Sequence, residues 1–365
     1  MKIREVDVEK DYDQIQKLHV KYNLKILDKN EWLRFWRENP YLLSSREANT
    51  VGWVIEDNKN IFGYIGNVFK EYYYNDEKII TSCIHAWVVE EKYRWQAFLL
   101  IRKFFAQKNV GVFLNTTANS PTRKIWLKYN AKKLPLQNFQ KTMYIILDLK
   151  KLIYSFLKYK NFILNIFFRN LIYYFTLIVF FKKLNFWKKV KQTKNTNLNP
   201  KIDNKFDKFW LLYKSFSKNK FLQSRTSAWI NWHLNTKINN GKAWLMTVEE
   251  NNEILGYAIC AEKNNTKIDL KKISLVDLVA LNDNQEIYTS LIKSCIIEAE
   301  KRKYYMFEIV GFKKIKRNIF SNFKMFKRRL ANFPFYYKIQ NKKYENFLKL
   351  DSAWDPSLLD GDSFL

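Results

Sequence analysis

The sequence runs through the same order of segments twice, once on each side of a basic stretch that contains no acidic residue. Residues 1–149 read as two helices, several strands, a helix, a strand and a shorter helix, and residues 203–350 repeat that order closely. The polar residues DNKN at 57–60 and ENN at 250–252 predict the turn of a hairpin in each half. No residue-level repeat accompanies it, so the inference rests on order alone. The pattern predicts an α/β protein with mixed sheets in two domain-sized halves, with a connector at 150–202 and a short acidic tail at 351–365.

The composition includes enough apolar residues for a large core, and it gives the chain a strong positive charge. Hydrophobic residues make up 47% of the 365 positions, which argues against general disorder. The formal charge of +29 favours anionic partners without identifying one. Cys83, Cys260 and Cys295 have no paired spacing, which predicts reduced thiols and neither disulfides nor a metal site. Since the N-terminus lacks the apolar segment of a secretory signal, we expect a cytoplasmic protein.

The connector combines apolar side chains with lysines, and its polar positions recur near the helical period. Its uninterrupted apolar run, residues 171–181, is too short to span a membrane. Two interpretations stay open. One is a pair of helices packed between the two halves. The other is an interfacial anchor whose lysines meet an anionic membrane surface, which would place the protein peripherally at the inner face of the membrane.

Two motifs in the first half follow strand-like segments. The first strand ends in VV at 88–89 and leads into EEKYRWQAFLL, where a turn with Arg94 opens a helix. The second is FLN at 113–115, and it leads to a helix that begins after Asn119. This order resembles the GNAT superfamily of acyl-CoA N-acyltransferases. The family turn reads Arg/Gln-x-x-Gly-x-Gly/Ala. Arg94 matches its first marked position, Ala97 stands where glycine is usual, and Leu99 replaces the second small residue.

The resemblance implies two GNAT-like domains and an N-acyltransferase that uses acetyl-CoA or another acyl-CoA. In this family, backbone amides at a helix N-terminus bind the diphosphate of coenzyme A. The resemblance therefore implies a group of cofactor-binding residues, with amides near 88–90 also stabilising the oxyanion. These residues are Val88, Val89, Glu90, Arg94, Trp95, Gln96, Ala97 and Asn119.

Two residues are candidates for catalysis. His85 lies in the strand before the turn, where family members often place a base that deprotonates the attacking amine. The alternative is a half-buried histidine that packs beside Trp87. Trp126 stands where many relatives have the tyrosine that protonates the leaving thiolate, and indole cannot give up a proton near neutral pH. Tyr129 is therefore the candidate for that role.

Three residues are candidates for contact with the acceptor substrate. His233 lies beside Trp232 in a helical segment, with a structural role as the alternative. Asp360 and Asp362 lie in the tail and could bind an amino-sugar ammonium or pair with the basic surface. A disordered terminus is the alternative for the tail, although Trp354 favours docking onto the protein.

Three functions stay open at this point. The first is acyl transfer to a small molecule or an amino sugar, because bacterial proteins with paired GNAT-like halves resemble enzymes that modify surface polysaccharides. The second is a binding or scaffold protein on a degenerate fold, which Leu99 and Trp126 favour. The third is a protein like the aminoacyl-tRNA-dependent peptidyl transferases, with the basic surface as an RNA footprint. Nucleic acid ranks last as a partner because no motif of an RNA-binding module is evident.

Overall fold

The structure is a computed structural model, and it describes residues 1–45, 49–159, 166–330, 335–362 and 364. Its strands are β1 (Lys2–Glu5), β2 (Gly52–Asp57), β3 (Asn60–Tyr74), β4 (Glu77–Val89), β5 (Val112–Asn115), β6 (Lys132–Lys133), β7 (Lys141–Ile146), β8 (Asn197–Leu198), β9 (Leu222–Gln223), β10 (Ala243–Glu250), β11 (Glu253–Glu262), β12 (Lys272–Ala280), β13 (Met306–Ile309), β14 (Phe326–Arg329) and β15 (Tyr336–Ile339).

The helices flank these strands in both halves. They are α1 (Tyr12–Lys21), α2 (Lys29–Arg37), α3 (Pro40–Ser44), α4 (Ala97–Phe105), α5 (Ser120–Lys128), α6 (Leu149–Tyr159), α7 (Ile166–Leu184), α8 (Asn204–Phe216), α9 (Ser227–Asn239), α10 (Gln285–Lys301), α11 (Lys314–Ser321) and α12 (Glu345–Leu348). The predicted mixed α/β architecture is confirmed.

The strands form two mixed sheets. The first sheet has the order β1-β2-β3-β4-β5-β15-β6, with β9 also paired to β3, and the second has the order β14-β7-β13-β12-β11-β10-β8. In each sheet a long antiparallel hairpin leads into a central strand, β4 or β12, which pairs in parallel with the next strand. The repeated order of segments in the sequence therefore corresponds to two sheets of similar topology.

The two sheets exchange strands. β7 comes from the first half of the chain but lies between β13 and β14 in the second sheet. β15 comes from the second half but lies between β5 and β6 in the first sheet. Residues 1–149 and 203–350 therefore each complete the sheet of the other, and the first sheet is not made by the first half alone.

Both hairpins turn on residues that accept a left-handed backbone. Asn58 and Lys59 join β2 to β3 with φ angles of 47° and 66°, and Asn251 and Asn252 join β10 to β11 with φ angles of 50° and 67°. Two consecutive positive φ angles are the geometry of the tight turn that matches the twist of a hairpin, and asparagine adopts it at low cost. The turns predicted from the polar residues at these positions are confirmed.

Buried aromatic side chains join the two halves. The core around the first sheet includes Trp229 and Trp232 from α9 and Trp354 from the tail. The ring of Trp232 stacks on Phe35 of α2 with centroids 5.3 Å apart, and its Nε1 donates to the carbonyl oxygen of Phe35 at 3.1 Å. Since aromatic side chains bury large apolar areas, this shared core fixes the halves to each other.

The tail docks into the protein from Ala353 onward. Asp355 pairs with Lys316 at 2.9 Å and accepts a hydrogen bond from Tyr213 at 2.8 Å, and all three side chains are buried. Trp354 is 1% exposed and its Nε1 donates to a main-chain carbonyl. The docking predicted from Trp354 is confirmed, and it carries the last described residues back to the first sheet.

The connector contains the two helices α6 and α7, as its periodicity predicts. Ser155 of α6 donates to the carbonyl oxygen of Asp269, which holds α6 on the second half. In contrast, α7 contacts α6 and the region of β14 but keeps most of its apolar side chains exposed. Within the part of the chain that the structure describes, no helix is both long and apolar enough to cross a membrane.

Candidate functional site

The central strand of the first sheet separates from its parallel neighbour. β4 and β5 pair only over three residues, from Thr81 opposite Val112 to Cys83 opposite Leu114. β5 ends at Asn115, while β4 continues for six residues beyond Cys83. The two strands therefore diverge, and a gap opens between them in the middle of the sheet.

A β-bulge in β4 lies at this gap. The register between β3 and β4 shifts so that Ile65 of β3 faces two residues, Ala86 and Trp87. Ala86 has a φ angle of 48°, a left-handed conformation that is uncommon for alanine. A bulge turns the following side chains and main-chain groups away from the regular ladder. Beyond it, Val88 and Val89 continue β4 as buried residues.

A cavity of about 270 Å³ opens in the gap. Its lining comes from β4, from the segment between β5 and α5, from the loop after α1 and from the tail. The lining residues are Leu24, Lys25, Ile84, His85, Ala86, Trp87, Asn115, Thr117, Asn119, Thr122 and Asp362. The cavity brings together three residues singled out in the sequence from separate segments: His85, Asn119 and Asp362.

His85 lies in an aromatic environment on the cavity wall. Its ring centroid is 5.3 Å from that of Phe35 and 6.1 Å from that of Trp36. Among the described residues, its Nδ1 atom is buried without a hydrogen-bond partner. Burial, together with the nearby His19 and Lys25, lowers the pKa of His85 to about 3. At neutral pH the ring is uncharged, and so low a pKa makes it a weak proton acceptor.

Asp362 is held at the cavity by two threonines. The hydroxyl of Thr116 donates to Oδ1 of Asp362 at 2.9 Å, and the hydroxyl of Thr117 donates to Oδ2 at 2.9 Å. Burial raises the pKa of Asp362 above its ordinary value, although these hydrogen bonds oppose the shift. A carboxylate whose pKa moves toward neutrality is better matched to proton transfer than the neighbouring histidine.

Asn119 places the N-terminus of α5 at the cavity. Its side-chain oxygen accepts a hydrogen bond from the amide of Thr122 at 3.0 Å, and Pro121 follows in the first turn of the helix. Asparagine at the N-cap and proline just inside the helix are the residues that favour a helix start. The positive end of the nine-residue α5 dipole therefore points toward the cavity.

The turn after β4 differs from the amide cradle that the GNAT resemblance implies. Residues Glu91–Gln96 form a 3-10 helix that runs directly into α4. The amide of Glu90 donates to the carbonyl oxygen of Phe62 at 2.8 Å, that of Tyr93 to Glu90, and that of Ala97 to Arg94. Because these amides have carbonyl partners, the structure does not present them as free donors for a diphosphate.

The side chains of this turn face different directions. Arg94 is exposed and pairs with Glu91 at 3.0 Å, and Trp95 is 65% exposed. Gln96 is buried, and its amide nitrogen contacts the sulfur of Met1. Arg94 and Trp95 are therefore available at the surface to bind a ligand, whereas Gln96 is part of the core.

Tyr129 lies away from the cavity. It follows the last residue of α5, and its ring packs on Phe105 with centroids 5.1 Å apart. A helix of this length puts its two ends about 13 Å apart, so Tyr129 is far from Asn119 at the other end. Trp126 is fully buried among Phe104 and Phe105. The geometry favours a packing role for both aromatic residues.

His233 and Asp360 also lie outside the cavity lining. His233 is buried in α9, its Nε2 lies 3.2 Å from Nε2 of Gln223, and burial lowers its pKa well below the ordinary value. Asp360 is buried and accepts hydrogen bonds from the hydroxyl of Tyr72 at 2.7 Å and the amide of Ser357 at 2.6 Å. Both side chains belong to the polar network that joins the halves.

Sequence analysis missed several cavity residues. Nothing in IITSCIHAWVV indicates that Ala86 forms a bulge, because a bulge depends on the partner strand. Thr116 and Thr117 directly follow the strand FLN, and two hydroxyls after a buried strand were the available signal. Lys25 is in a loop, and only the tertiary structure brings it to the cavity.

The second sheet also has a bulge in its central strand, but the tail covers it. β12 pairs with β13 up to Leu275 opposite Ile309, and Val276 is then an extra residue in the register with β11. At this point the amide of Leu358 in the tail donates to the carbonyl oxygen of Val276 at 3.0 Å. The tail therefore lies against the bulge of the second sheet, whereas the bulge of the first sheet borders a cavity.

The described residues include no group of three His, Cys, Asp or Glu side chains arranged to hold a metal ion. The three cysteines are free and buried.

No protein-family model and no curated protein matches the sequence. Solved structures do share its fold. GCN5-related N-acetyltransferases from Anabaena variabilis and Kribbella flavida align over 93% of this chain, with TM-scores of 0.55 and 0.56 and identities of 10% and 8%. The alignments cover 73% and 71% of those chains.

N-myristoyltransferase from Saccharomyces cerevisiae, solved with bound myristoyl-CoA, aligns over 92% of this chain and 82% of its own. The TM-score is 0.56 and the identity is 13%. At such low identities the similarity is one of fold, and it does not extend to the residues of the site. The chain therefore has the mixed α/β fold of the GCN5-related N-acetyltransferases, with two GNAT-like halves that share their last strands.

Proposed function

We propose that this protein is an acyl-CoA-dependent N-acyltransferase in which an amine and a thioester meet in the cavity between β4 and β5. One observation carries the proposal: the central strand is bulged at Ala86 and diverges from its parallel neighbour, and the gap opens onto a cavity that contains a carboxylate of raised pKa. The similarity in fold to acyltransferases supports it.

The reaction requires one proton acceptor and an environment that stabilises negative charge. Asp362 accepts one proton from the ammonium form of the acceptor, and the resulting amine nitrogen attacks the thioester carbon to form the C–N bond. The C–S bond then breaks, and the departing thiolate takes the second proton that the nitrogen loses. The N-terminus of α5 lies at the same cavity, and its dipole favours the negative charge that develops on the carbonyl oxygen.

The acyl donor fits the site at its reactive end. An acetyl or other short acyl group is small compared with the cavity volume of about 270 Å³. At the diphosphate end, exposed Arg94 supplies a positive charge, whereas the amides of Glu90 and Ala97 are already bonded. We infer that side chains, more than a main-chain cradle, would hold the diphosphate.

The acceptor is an amine of unassigned structure. Asp362 favours a group that arrives as an ammonium ion, because an opposite charge at hydrogen-bonding distance stabilises the complex. An amino sugar of a surface polysaccharide is the class that the sequence resemblance implies, and it presents such an ammonium ion. His233 and Asp360 lie too deep in the protein to contact it directly.

The test compares two substitutions in the tail. Asp362→Asn removes the proton acceptor, and Asp351→Asn makes the same change at an exposed residue outside the cavity. Calorimetry with acetyl-CoA and longer acyl-CoAs measures donor binding, and thiol release in the presence of a panel of amines and amino sugars measures transfer. We expect donor binding in all three proteins and transfer in all but Asp362→Asn.

A binding protein without catalysis is the second candidate. The bonded amides after β4 and the core position of Trp126 favour it, because both depart from what acyl transfer on this fold uses. Absence of acyl-CoA binding at millimolar concentration would contradict the enzyme and support this alternative. Binding in the micromolar range with thiol release would exclude it.

A further inference from the structure

Helix α7 exposes a broad apolar face. Phe168, Leu171, Phe175, Ile178 and Val179 follow the three- and four-residue spacing of one helix face, and each is between 52% and 78% exposed. Folded proteins rarely leave so many large apolar side chains together in water, and contiguous patches of this kind mark interaction surfaces. Packing in the core of the described chain therefore does not account for the apolar side chains on this face of α7.

The protein holds α7 by its inner side and its C-terminal end. The hydroxyl of Tyr154 in α6 donates to the side chain of Asn170 at 3.0 Å. At the other end, the ring of Phe180 lies 5.5 Å from that of Phe326, and Leu184 is buried. These contacts fix the direction of α7, so the apolar face stays on the outside.

Basic residues border this face. Lys183 lies 4.3 Å from the ring of Phe326, and together with Lys324 and Lys327 it lines a groove of about 540 Å³. Among the described residues, no acidic side chain lines this groove. Residues 149–202, which contain α6 and α7, also include no Asp or Glu.

The basic surface extends beyond the first groove. A neighbouring groove of about 580 Å³ shares Ser321 and Lys327 with it and adds Lys141, Lys314 and Arg317. Asp351 is its acidic member. A broad cationic area therefore begins at the C-terminal end of the apolar helix.

We propose that α7 and the basic groove beside it dock this protein on the surface of an anionic lipid bilayer. An apolar helix face bordered by lysines suits an interface where acyl chains meet negatively charged headgroups. Each lysine near such a surface adds to the electrostatic attraction. The helix lies in the plane of the interface, in keeping with the absence of a spanning helix among the described residues.

Charge argues against a second copy of this chain as the partner. In a symmetric dimer the same patch of both copies is buried, so Lys183, Lys324 and Lys327 of each copy would be brought into one interface. With a formal charge of +29, repulsion between copies adds to this cost. A bilayer of anionic lipid offers an apolar layer and negative charge together.

The test uses flotation of the full chain with vesicles of phosphatidylcholine, with or without phosphatidylglycerol. Phe175→Asp/Ile178→Asp places charges on the apolar face. Leu211→Asp/Phe216→Asp makes a matched change at exposed residues of α8. We expect the wild type and the α8 variant to float with anionic vesicles. We expect the α7 variant to bind at least about tenfold more weakly, because two large apolar side chains no longer enter the interface.

A second pair of variants tests the charge. Lys324→Glu/Lys327→Glu should weaken binding to anionic vesicles, and high salt should have the same effect on the wild type, while Lys124→Glu/Lys128→Glu on α5 should bind normally. Equal binding to neutral vesicles, or equal binding by the α7 variant, would overturn the proposal. A concentration-dependent dimer in sedimentation that Phe175→Asp/Ile178→Asp abolishes would overturn it as well and identify a second copy as the partner.

Discussion

At the scale of single residues, burial shifts the pKa values of two cavity residues in opposite directions. It lowers the pKa of His85 to about 3 and raises that of Asp362. The imidazole is thus neutral throughout the physiological range, whereas the pKa of the Asp362 carboxyl group moves toward neutrality. The assignment of the base follows from these environments, not from residue type.

The pH dependence of transfer should follow Asp362. The deprotonated carboxylate is the active form, so kcat should fall as the pH drops through its raised pKa and stay level above it. His85→Gln should keep this fall in kcat at low pH, because a histidine with a pKa of about 3 does not titrate in that range. Asp362→Asn should lower kcat by about one hundred- to ten-thousand-fold and remove the dependence on pH. If the fall in kcat disappeared in His85→Gln, the base would be His85 and not Asp362.

The buried pair of Asp355 and Lys316 gives a second prediction for single residues. Lys316, with Lys220 and Lys313, holds the pKa of Asp355 well below its ordinary value, against the opposing effect of burial. A lowered carboxyl pKa contributes stability above the pKa of the unfolded chain, and this stability is lost as the pH falls through the folded pKa.

Asp355→Asn should lower the free energy of unfolding by about 3–5 kcal/mol, since Lys316 is then buried without its charge partner. Urea denaturation at neutral pH measures the change. Glu345→Gln is the control, because Glu345 pairs with Lys132 at 3.0 Å between half-exposed side chains. An exposed pair of this kind contributes little to stability. Equal effects of the two substitutions would contradict the structural role of the tail.

At the scale of elements, the tail differs in its role at the two sheets. Leu358 bonds to the bulge of β12, and four residues later Asp362 reaches the cavity beside β4. Gly361 lies between these contacts with a φ angle of 73°, and a Cβ atom there would collide with the side chain of Thr116. The glycine permits both the left-handed backbone and the close approach to the residue that holds Asp362.

Gly361→Ala should therefore disturb the site beyond the cost of its backbone. Gly241→Ala is a matched control, since Gly241 has a φ angle of 67° and no atom within 4 Å of an added Cβ. Both should lose about 1–2 kcal/mol of stability from the left-handed conformation. Gly361→Ala should lose more stability and also transfer activity, as measured by urea denaturation and thiol release. Normal activity in Gly361→Ala would show that the position of Asp362 is not critical.

At the scale of the whole molecule, the exchange of β7 and β15 makes the halves interdependent. β15 fills the position between β5 and β6, and β5 forms one side of the gap that contains the cavity. In addition, Lys70 of β3 donates to the carbonyl oxygen of Leu359 in the tail at 2.8 Å. The site therefore depends on both halves and on the tail.

The fragment 1–149 should not fold into a stable unit. It lacks β15 and the tail, so β5 and β6 lose their shared partner and the core loses Trp354. Circular dichroism and limited proteolysis of the fragment should show weak, non-cooperative structure, whereas the full chain should unfold cooperatively. A protected fragment with a sharp transition would show that 1–149 is an independent domain.

The sequence by itself determined those features that depend on neighbouring residues. Alternation and turn chemistry predicted the hairpins at Asn58 and Asn251, periodicity predicted the helices of the connector, and the order of segments predicted two α/β halves. His85 could be singled out as a candidate base and Asp362 as a contact for an ammonium group, while Asn119 was implied by the family resemblance. Local propensity is enough for such features, because it depends on contacts within a few residues.

Only the tertiary structure decided how these parts combine. The exchange of β7 and β15 depends on pairing between residues far apart in sequence, and hydrophobic alternation fits a strand to either sheet. The bulge at Ala86 depends on the register with β3. The protonation states of His85 and Asp362 depend on burial, which no local pattern encodes. The physical reason is the same in each case. The free energy that favours each feature comes from contacts between residues far apart in sequence, and these contacts form only when the chain has folded.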